Sequence, residues 1–331
     1  MSKSVAKALI VYHDKCNDGY TSAWVTHTKL VTQFRQESIH FLPANYNDIG
    51  PLLNLINDHY YSQIYVVDFS LPLSVLHFLE QEYPECSITI LDHHKTAFEL
   101  YAPEIVITPT ANCKVYVTST AYVVLDNSES GASLCWKYFF PELAMPKLVR
   151  YVKDYDLYKF ELGEITKWMR QVIRRMVFSP ETWSSFSRQL QNTEEHDKIA
   201  LEGKRLHEEE AAEAKRIADR AYPIIINGIS GWVVSCSYEY TSLVGHLVAQ
   251  RDNSFCLIVP PYTSDRLYDK EHGDWFTRKL NFSLRSVAGI DVSAIAKIFG
   301  GGGHKNAAGF HAAVSDILSD KIQLMIMRGK I

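Results

Sequence analysis

Short apolar runs separated by helix-patterned stretches set the rhythm of the first third of the chain. Ala8, Leu9, Ile10, Val11 and Tyr12 form one run, and Ile64, Tyr65, Val66 and Val67 a second. Ser87, Ile88, Thr89, Ile90 and Leu91 form a third. Runs this short and continuous mark strands buried on both faces. Between them, Ala23, Trp24 and Val25 fall in helical sequence, and Leu73, Leu76, Leu79 and Tyr83 share one helical face within 71–83. Strands alternating with helices predict a parallel sheet with helices on both faces. Residues 134–190 read as helical, rich in aromatics and arginine.

From 193 to 221 the composition shifts to Glu, Lys, Arg and Ala, and Pro223 follows. This predicts one long solvated helix whose charge run is an exposed face. Strand patterns then return at 224–226, 232–236 and 256–259, 279–285 alternates like a half-buried strand, and 293–299 reads as a short helix. The expected fold class is α/β. A parallel-sheet domain over 1–190 is joined by a linker helix, 191–222, to a smaller α/β domain over 223–331.

The 331 residues suffice for two buried cores, and 47% hydrophobic with 22% charged residues is ordinary for a globular protein. No apolar run reaches the roughly 18 residues that span a bilayer, and the start offers no signal-peptide core, so no membrane partner and a cytoplasmic location are expected. Cys16, Cys86, Cys113, Cys135, Cys236 and Cys256 include no C-x-x-C pair. A zinc knuckle or disulfide framework is therefore not expected. The net charge of −4 lacks the basic footprint of a protein that tracks long duplex DNA, which favours small substrates.

Ligands of an open parallel sheet gather at the carboxyl ends of its strands. The three N-terminal strands end there in polar clusters: His13 to Gly19, Asp68 to Ser70, and Asp92-His93-His94. Taken singly each has a plain structural explanation: Asp68 as a helix cap, Asp18 in a turn, a His as a hydrogen-bonded residue. Together they crowd carboxylates that need a cation to remain ionised. An imidazole and carboxylate mixture suits Mn²⁺, with Fe²⁺, Co²⁺ or Mg²⁺ as alternatives. Such a site can hold one ion, or two about 4 Å apart. Asp154 and Asp156, among aromatic and apolar residues, are candidates for a further ligand, or for a helix cap.

The second domain carries four consecutive glycines, Gly300 to Gly303, followed by His304 and Lys305. Glycine lets peptide N–H groups approach a phosphate closely, and His304, Lys305 and Arg285 can add charge-assisted contacts. Tyr238, Tyr240 and Tyr262 are candidates to stack on bases, weighed against ordinary packing.

Leu91-Asp92-His93-His94, with Phe282 to Ser286, Gly301-Gly302-Gly303-His304 and Ala307-Ala308-Gly309-Phe310, resembles the DHH phosphoesterase family with its DHH-associated C-terminal domain. The resemblance covers nearly the whole chain. It implies a metal-dependent phosphodiesterase that hydrolyses short oligonucleotides or dinucleotides to nucleoside monophosphates; members of this layout include nanoRNases, dinucleotide hydrolases, 3′-phosphoadenosine 5′-phosphate phosphatases and RecJ-like single-strand DNA exonucleases. It implies His13, Asp18, Asp68, His93 and Asp154 as metal ligands, with Asp156 the next match for the last. Asp92 would orient His93, and His94 would face the scissile phosphate as stabiliser or proton donor. Arg285, Gly301, Gly302, Gly303 and His304 would grip substrate across a cleft between domains. The first motif departs from the commoner pattern: Tyr20 stands where a second Asp is expected, and Asp14, Cys16, Asn17 or water would have to compensate. Alternatives are a nucleotide-binding protein with a degenerate site, a single-strand exonuclease, or a pyrophosphatase, the last disfavoured by the GGGH segment. Monomer and homodimer are both compatible with the resemblance.

Overall fold

A computed structural model describes residues 7–45, 49–102, 107–261, 266–269, 274–277, 280–287, 289–312 and 322–324. Tyr262, and the first residue of the 279–285 run, lie outside the described residues. The chain divides into two compact units, Met1–His207 and Glu208–Ile331.

The first unit is built on six strands: β1 (Ala8–His13), β2 (Ile39–Ala44), β3 (Gln63–Val67), β4 (Ser87–Asp92), β5 (Cys113–Val117) and β6 (Ala121–Asp126). Their order is β2-β1-β3-β4-β6-β5, parallel except for β5, which pairs antiparallel with β6. β1 shows why the apolar runs are continuous. Ala8, Ile10 and Tyr12 enter one core and Leu9 and Val11 the other, so both faces of the strand are covered. The first core is closed by α1 (Asn17–Leu30), through Ala23 and Trp24. Four further helices complete it: α5 (Gly131–Phe139), α6 (Lys147–Asp156), α7 (Ile165–Ile173) and α8 (Pro180–Gln189). The second core lies under α2 (Gly50–Asp58), α3 (Leu73–Glu82) and α4 (Lys95–Tyr101). α1, α3 and the helices within 131–189 fall where the periodicity predicts helix; α2, α4, β2, β5 and β6 were not legible. Pro43 removes a donor from β2, which is tolerated because β2 is an edge strand.

The long helix α9 (Thr193–Ala218) carries exposed Glu–Lys and Glu–Arg pairs three or four residues apart, and the boundary between the units falls within it. The second unit has a seven-stranded sheet. It contains β7 (Tyr222–Ile226), β8 (Ile229–Ser235), β9 (Phe255–Val259), β12 (Leu280–Ser286), β13 (Gly302–His304), β14 (Ala307–Ala312) and β15 (Ile322–Leu324). Its order is β13-β14-β12-β9-β8-β7-β15, with β8 and β9 parallel and the other pairs antiparallel. β10 (Arg266–Asp269) and β11 (Asp274–Thr277) form a separate ribbon. Asn227 and Gly228, both at positive φ, make the two-residue turn from β7 to β8. One sheet face packs Phe282, Leu284 and Phe310 against α11 (Val292–Ile298). The other packs Val234 and Ile258 against α10 (Thr241–Ala249). No helix among the described residues is long and apolar enough to cross a membrane.

Ile10 is fully buried in β1, whereas Val31 just beyond α1 is 43% exposed. Ile10→Ala should lower unfolding free energy by about 2–5 kcal/mol and Val31→Ala by no more than about 0.5 kcal/mol, as read from urea denaturation.

Candidate metal centre and phosphate-binding row

In the first unit the strand order reverses direction at β1 and β3, and their carboxyl ends open a crevice. His13 closes β1, Asp68 follows β3, and Asp92, His93 and His94 follow β4. Asp68 leaves the sheet in the left-handed region, φ +54°, which costs a non-glycine residue about 1–2 kcal/mol. Its N–H donates to the Leu91 carbonyl (2.9 Å), fixing the turn, and its carboxylate is fully buried. Oδ1 lies 3.1 Å from His93 Nε2, and Oδ2 lies 3.6 Å from His13 Nδ1. The two oxygens thus face two different imidazoles. Oδ2 accepts no hydrogen bond, although its atom is buried.

Asp18, also buried, sits at the N-terminus of α5. It accepts the Ser130 hydroxyl (2.9 Å) and the N–H groups of Gly131 (2.5 Å) and Ala132 (3.0 Å). The helix end supplies both donors and partial positive charge to a carboxylate more than a hundred residues away in sequence. Oδ2, the oxygen that accepts the Gly131 N–H, also lies 3.6 Å from His93 Nε2. Gly131 must be glycine here: a Cβ would lie 2.6 Å from Asp68 Cβ and 2.7 Å from its Oδ1. Ser130 and Ser133 cap the helix reciprocally. The buried Glu129 just before them binds Lys137 (2.5 Å), and Lys153 of α6 (2.7 Å). That pairing ties the start of α5 to α6, and it holds the Glu129 carboxyl below its usual range despite burial.

From α6, Asp156 reaches the cluster, with Oδ2 3.5 Å from His93 Nε2 and accepting no hydrogen bond. Asp154, the better match in the sequence, does not. Its carboxylate turns to the next loop, accepting the N–H groups of Glu161 (2.8 Å) and Leu162 (3.1 Å) and the Thr166 hydroxyl. Three donors occupy it, so it caps the approach to α7, and Asp156 replaces it as the candidate ligand. Asp92 also differs from expectation. Its Oδ2 accepts the Ser70 hydroxyl (2.6 Å), and its Oδ1 accepts the N–H groups of His93 (2.7 Å) and His94 (3.2 Å). Oδ1 also lies 2.7 Å from His94 Nδ1, so Asp92 orients the His94 ring rather than that of His93.

Among the described residues, three overlapping groups place ligand atoms within 4.8 Å of one another: His13–Cys16–Asp68, Asp68–His93–His94, and Asp18–His93–Asp156. Asp68 therefore stands between two ends of one cluster. Tyr20 takes no part. It stacks on Phe178 (5.0 Å, 7° between planes) and meets Tyr12 and Trp183 edge-on. The electrostatics follow from crowding. Burial, with the negative charges of Asp68 and Asp156, raises the Asp18 carboxyl well above its ordinary value. Asp68 goes the other way, because its burial is outweighed by His13 and His93. His93 is pushed up to about 10, its own burial being overcome by Asp68, Asp18 and Asp156. Burial and the Asp68 and Asp18 charges also raise the Cys16 thiol, offset only in part by the Gly19 amide. Buried carboxylate oxygens without donors, next to imidazoles, form a donor set that fits divalent cations.

In the second unit, register places Arg285, Ala307 and His304 in one row across β12, β14 and β13. Residues paired in this way share a face, so Arg285 and His304 lie two strands, or about 10 Å, apart on one side of the sheet. The Arg285 stem passes Gly245 of α10, and its guanidinium donates to the Leu284 carbonyl (2.9 Å) and the Ser242 hydroxyl (3.3 Å). Gly301, Gly302 and Gly303 lead into the β13–β14 hairpin. Gly303 (φ +138°) is required by close pairing, since a Cβ would meet Ala308 Cα at 2.6 Å, whereas Gly302 faces open space. His304 is exposed, Tyr238 is exposed, and Tyr240 packs on the α10 core.

No protein-family profile matches the chain. An uncharacterized protein of Acanthamoeba polyphaga mimivirus is 25% identical over 318 residues, which is 91% of this chain but 66% of that protein. A solved DHH domain, from a protein described as a member of a family of ribosomal proteins, superposes with a TM-score of 0.55 at 14% identity. That match covers 92% of this chain and 82% of the other. The chain has the fold of a DHH domain. A manganese-bound structure of the exonuclease RecJ is a more distant match to this DHH fold, with a TM-score of 0.48 and 15% identity over 94% of this chain and 87% of that one.

Two substitutions separate the acids of α6. Asp156→Asn should weaken Mn²⁺ binding about 10- to 100-fold by calorimetry with little change in thermal stability. Asp154→Asn should leave Mn²⁺ binding intact and lower stability by about 1–3 kcal/mol, because two N–H groups and a hydroxyl lose a charged acceptor. Gly131→Ala, which pushes on Asp68, should reduce Mn²⁺ affinity about tenfold or more while the far-ultraviolet circular dichroism spectrum is retained.

Proposed function

We propose that this protein is a divalent-cation-dependent phosphodiesterase that hydrolyses short oligonucleotides or dinucleotides to nucleoside monophosphates. The observation that carries the reading is the division of the Asp68 carboxylate between two donor groups, with Oδ1 toward His93 and Oδ2 toward His13. A carboxylate placed in this way is what a pair of cations shares. Asp18, His93 and Asp156 would hold one ion, and His13 with Asp68 the other. Cations bound there would neutralise charge on a phosphoryl group and acidify a water molecule; Mn²⁺ suits the mixture of nitrogen and oxygen donors.

The chain's own residues supply the rest. Asp92 engages Nδ1 of His94 and thereby fixes its ring, which leaves Nε2 to carry the proton toward a leaving oxygen. Ser70 and the backbone N–H groups of His93 and His94 hold the Asp92 carboxylate in place. Asp18 is prevented from swinging onto the substrate by the α5 N-terminus. In the second unit the Arg285 guanidinium and His304 offer charge-assisted donors in one row, suited to the phosphates of a nucleotide end.

Turnover with Mn²⁺ tests the reading on RNA and DNA of two to about twenty nucleotides, cyclic dinucleotides and pyrophosphate. The expected result is nucleoside 5′-monophosphate, released fastest from the shortest diesters. Asp68→Ala and His93→Ala should lower kcat/KM more than about 100-fold with the fold retained, and Arg285→Ala should act mainly on KM. Nucleotide binding without turnover under any divalent cation would replace the enzyme with a binding protein, and faster turnover of pyrophosphate than of any diester would change the substrate class.

A further inference from the structure

The group His13–Cys16–Asp68 contains a sulfur atom, which the cation reading above, on which this inference rests, leaves without a role. Cys16 occupies the N-cap position of α1, where Ser, Thr, Asp or Asn would close the helix end. Its side chain makes no cap hydrogen bond. Lys15, in the left-handed region at φ +55°, turns the chain between His13 and Cys16. The sulfur, an imidazole nitrogen and an Asp68 oxygen then stand within 4.8 Å of one another, a separation that ligands of a single ion adopt. Asp68 Oδ2, on a fully buried residue, accepts no hydrogen bond at this place. One helical turn on, Tyr20 is withdrawn into the aromatic stack with Phe178, so α1 offers no carboxylate there.

We infer that Cys16 is a sulfur ligand of the cation at the His13–Asp68 end of the centre, and that it makes this end selective for transition ions such as Zn²⁺, Co²⁺ or Fe²⁺ over Mg²⁺. A soft thiolate beside an imidazole favours such ions, whereas the carboxylate-rich group of Asp18, His93 and Asp156 does not discriminate in this way. The two ends of the centre are then chemically unequal.

Cobalt reports the ligand directly. The full chain, reduced and kept under anaerobic conditions, is titrated with Co²⁺ and followed by calorimetry and by near-ultraviolet absorbance. A sulfur-to-cobalt charge-transfer band should grow in with binding in the wild type and in Cys113→Ser. The band should vanish in Cys16→Ser and Cys16→Asp, both of which remain folded by circular dichroism. Zn²⁺ affinity at this end should fall about 10- to 100-fold in Cys16→Ser, and Cys16→Asp should shift preference toward Mn²⁺ and Mg²⁺. Co²⁺ binding without the band, or a band that persists in Cys16→Ser, overturns sulfur ligation and leaves the phosphodiesterase reading standing. Failure of the wild type to bind any divalent cation overturns both.

Discussion

One buried carboxylate organises the first unit. Asp68 is fully enclosed, held at a left-handed backbone angle, and given no N–H donor for its Oδ2. A carboxylate in that position is stable only where positive charge meets it. His13 approaches one oxygen and His93 the other, which brings the ends of β1 and β4 to the same point beside β3. Gly131 exists in α5 because Asp68 leaves no room for a side chain, and the start of α5 in turn fixes Asp18. Backbone strain, helix placement and the choice of glycine all follow from where that carboxylate must sit.

The strand-end clusters were legible in the sequence because their signal is local. A buried strand is a continuous apolar run, and the polar residues that interrupt it at its carboxyl end fall at the mouth of the sheet. His13, Asp18, Asp68, His93 and His94 are found together for that reason. The acids of α6 were not separable in that way. Asp154 and Asp156 lie two positions apart on a helix, roughly 200° around its axis, so only one can face the crevice. Which one does depends on how α6 is rotated against α5 and α7, a matter of long-range packing. The pairing of Glu129 with Lys153 contributes to that rotation, and it is invisible in a local pattern. The edge strands β2 and β5 were missed for a related reason: with one neighbour each and Pro43 within β2, neither needs a continuous apolar run.

The helix end that grips Asp18 shows another limit of local reading. Ser130 and Ser133 form a capping pair that is readable as a helix start. Nothing in that pattern says that its N–H groups will serve a carboxylate from α1. The same holds for Asp92. The family resemblance implied that it orients His93, but its Oδ1 lies 2.7 Å from Nδ1 of His94, while His93 turns its Nε2 toward Asp68. Neighbouring residues at a strand end diverge, so order along the chain does not assign partners.

Tyr20 bears on the chemistry as well as on the packing. Its ring completes an aromatic cluster with Tyr12, Phe178 and Trp183, close in sequence to Asp18 and Cys16 of the Asp–His cluster. An apolar wall next to charges lowers the local dielectric and strengthens every electrostatic contact within reach. An aromatic ring here, where the family resemblance expects a carboxylate, has two effects that act together. It lessens the negative charge available to a cation, and it makes each remaining donor, His13 and Asp68 foremost, more effective. Such a centre suits a cation with fewer acidic ligands at the His13–Asp68 end than at the carboxylate-rich end.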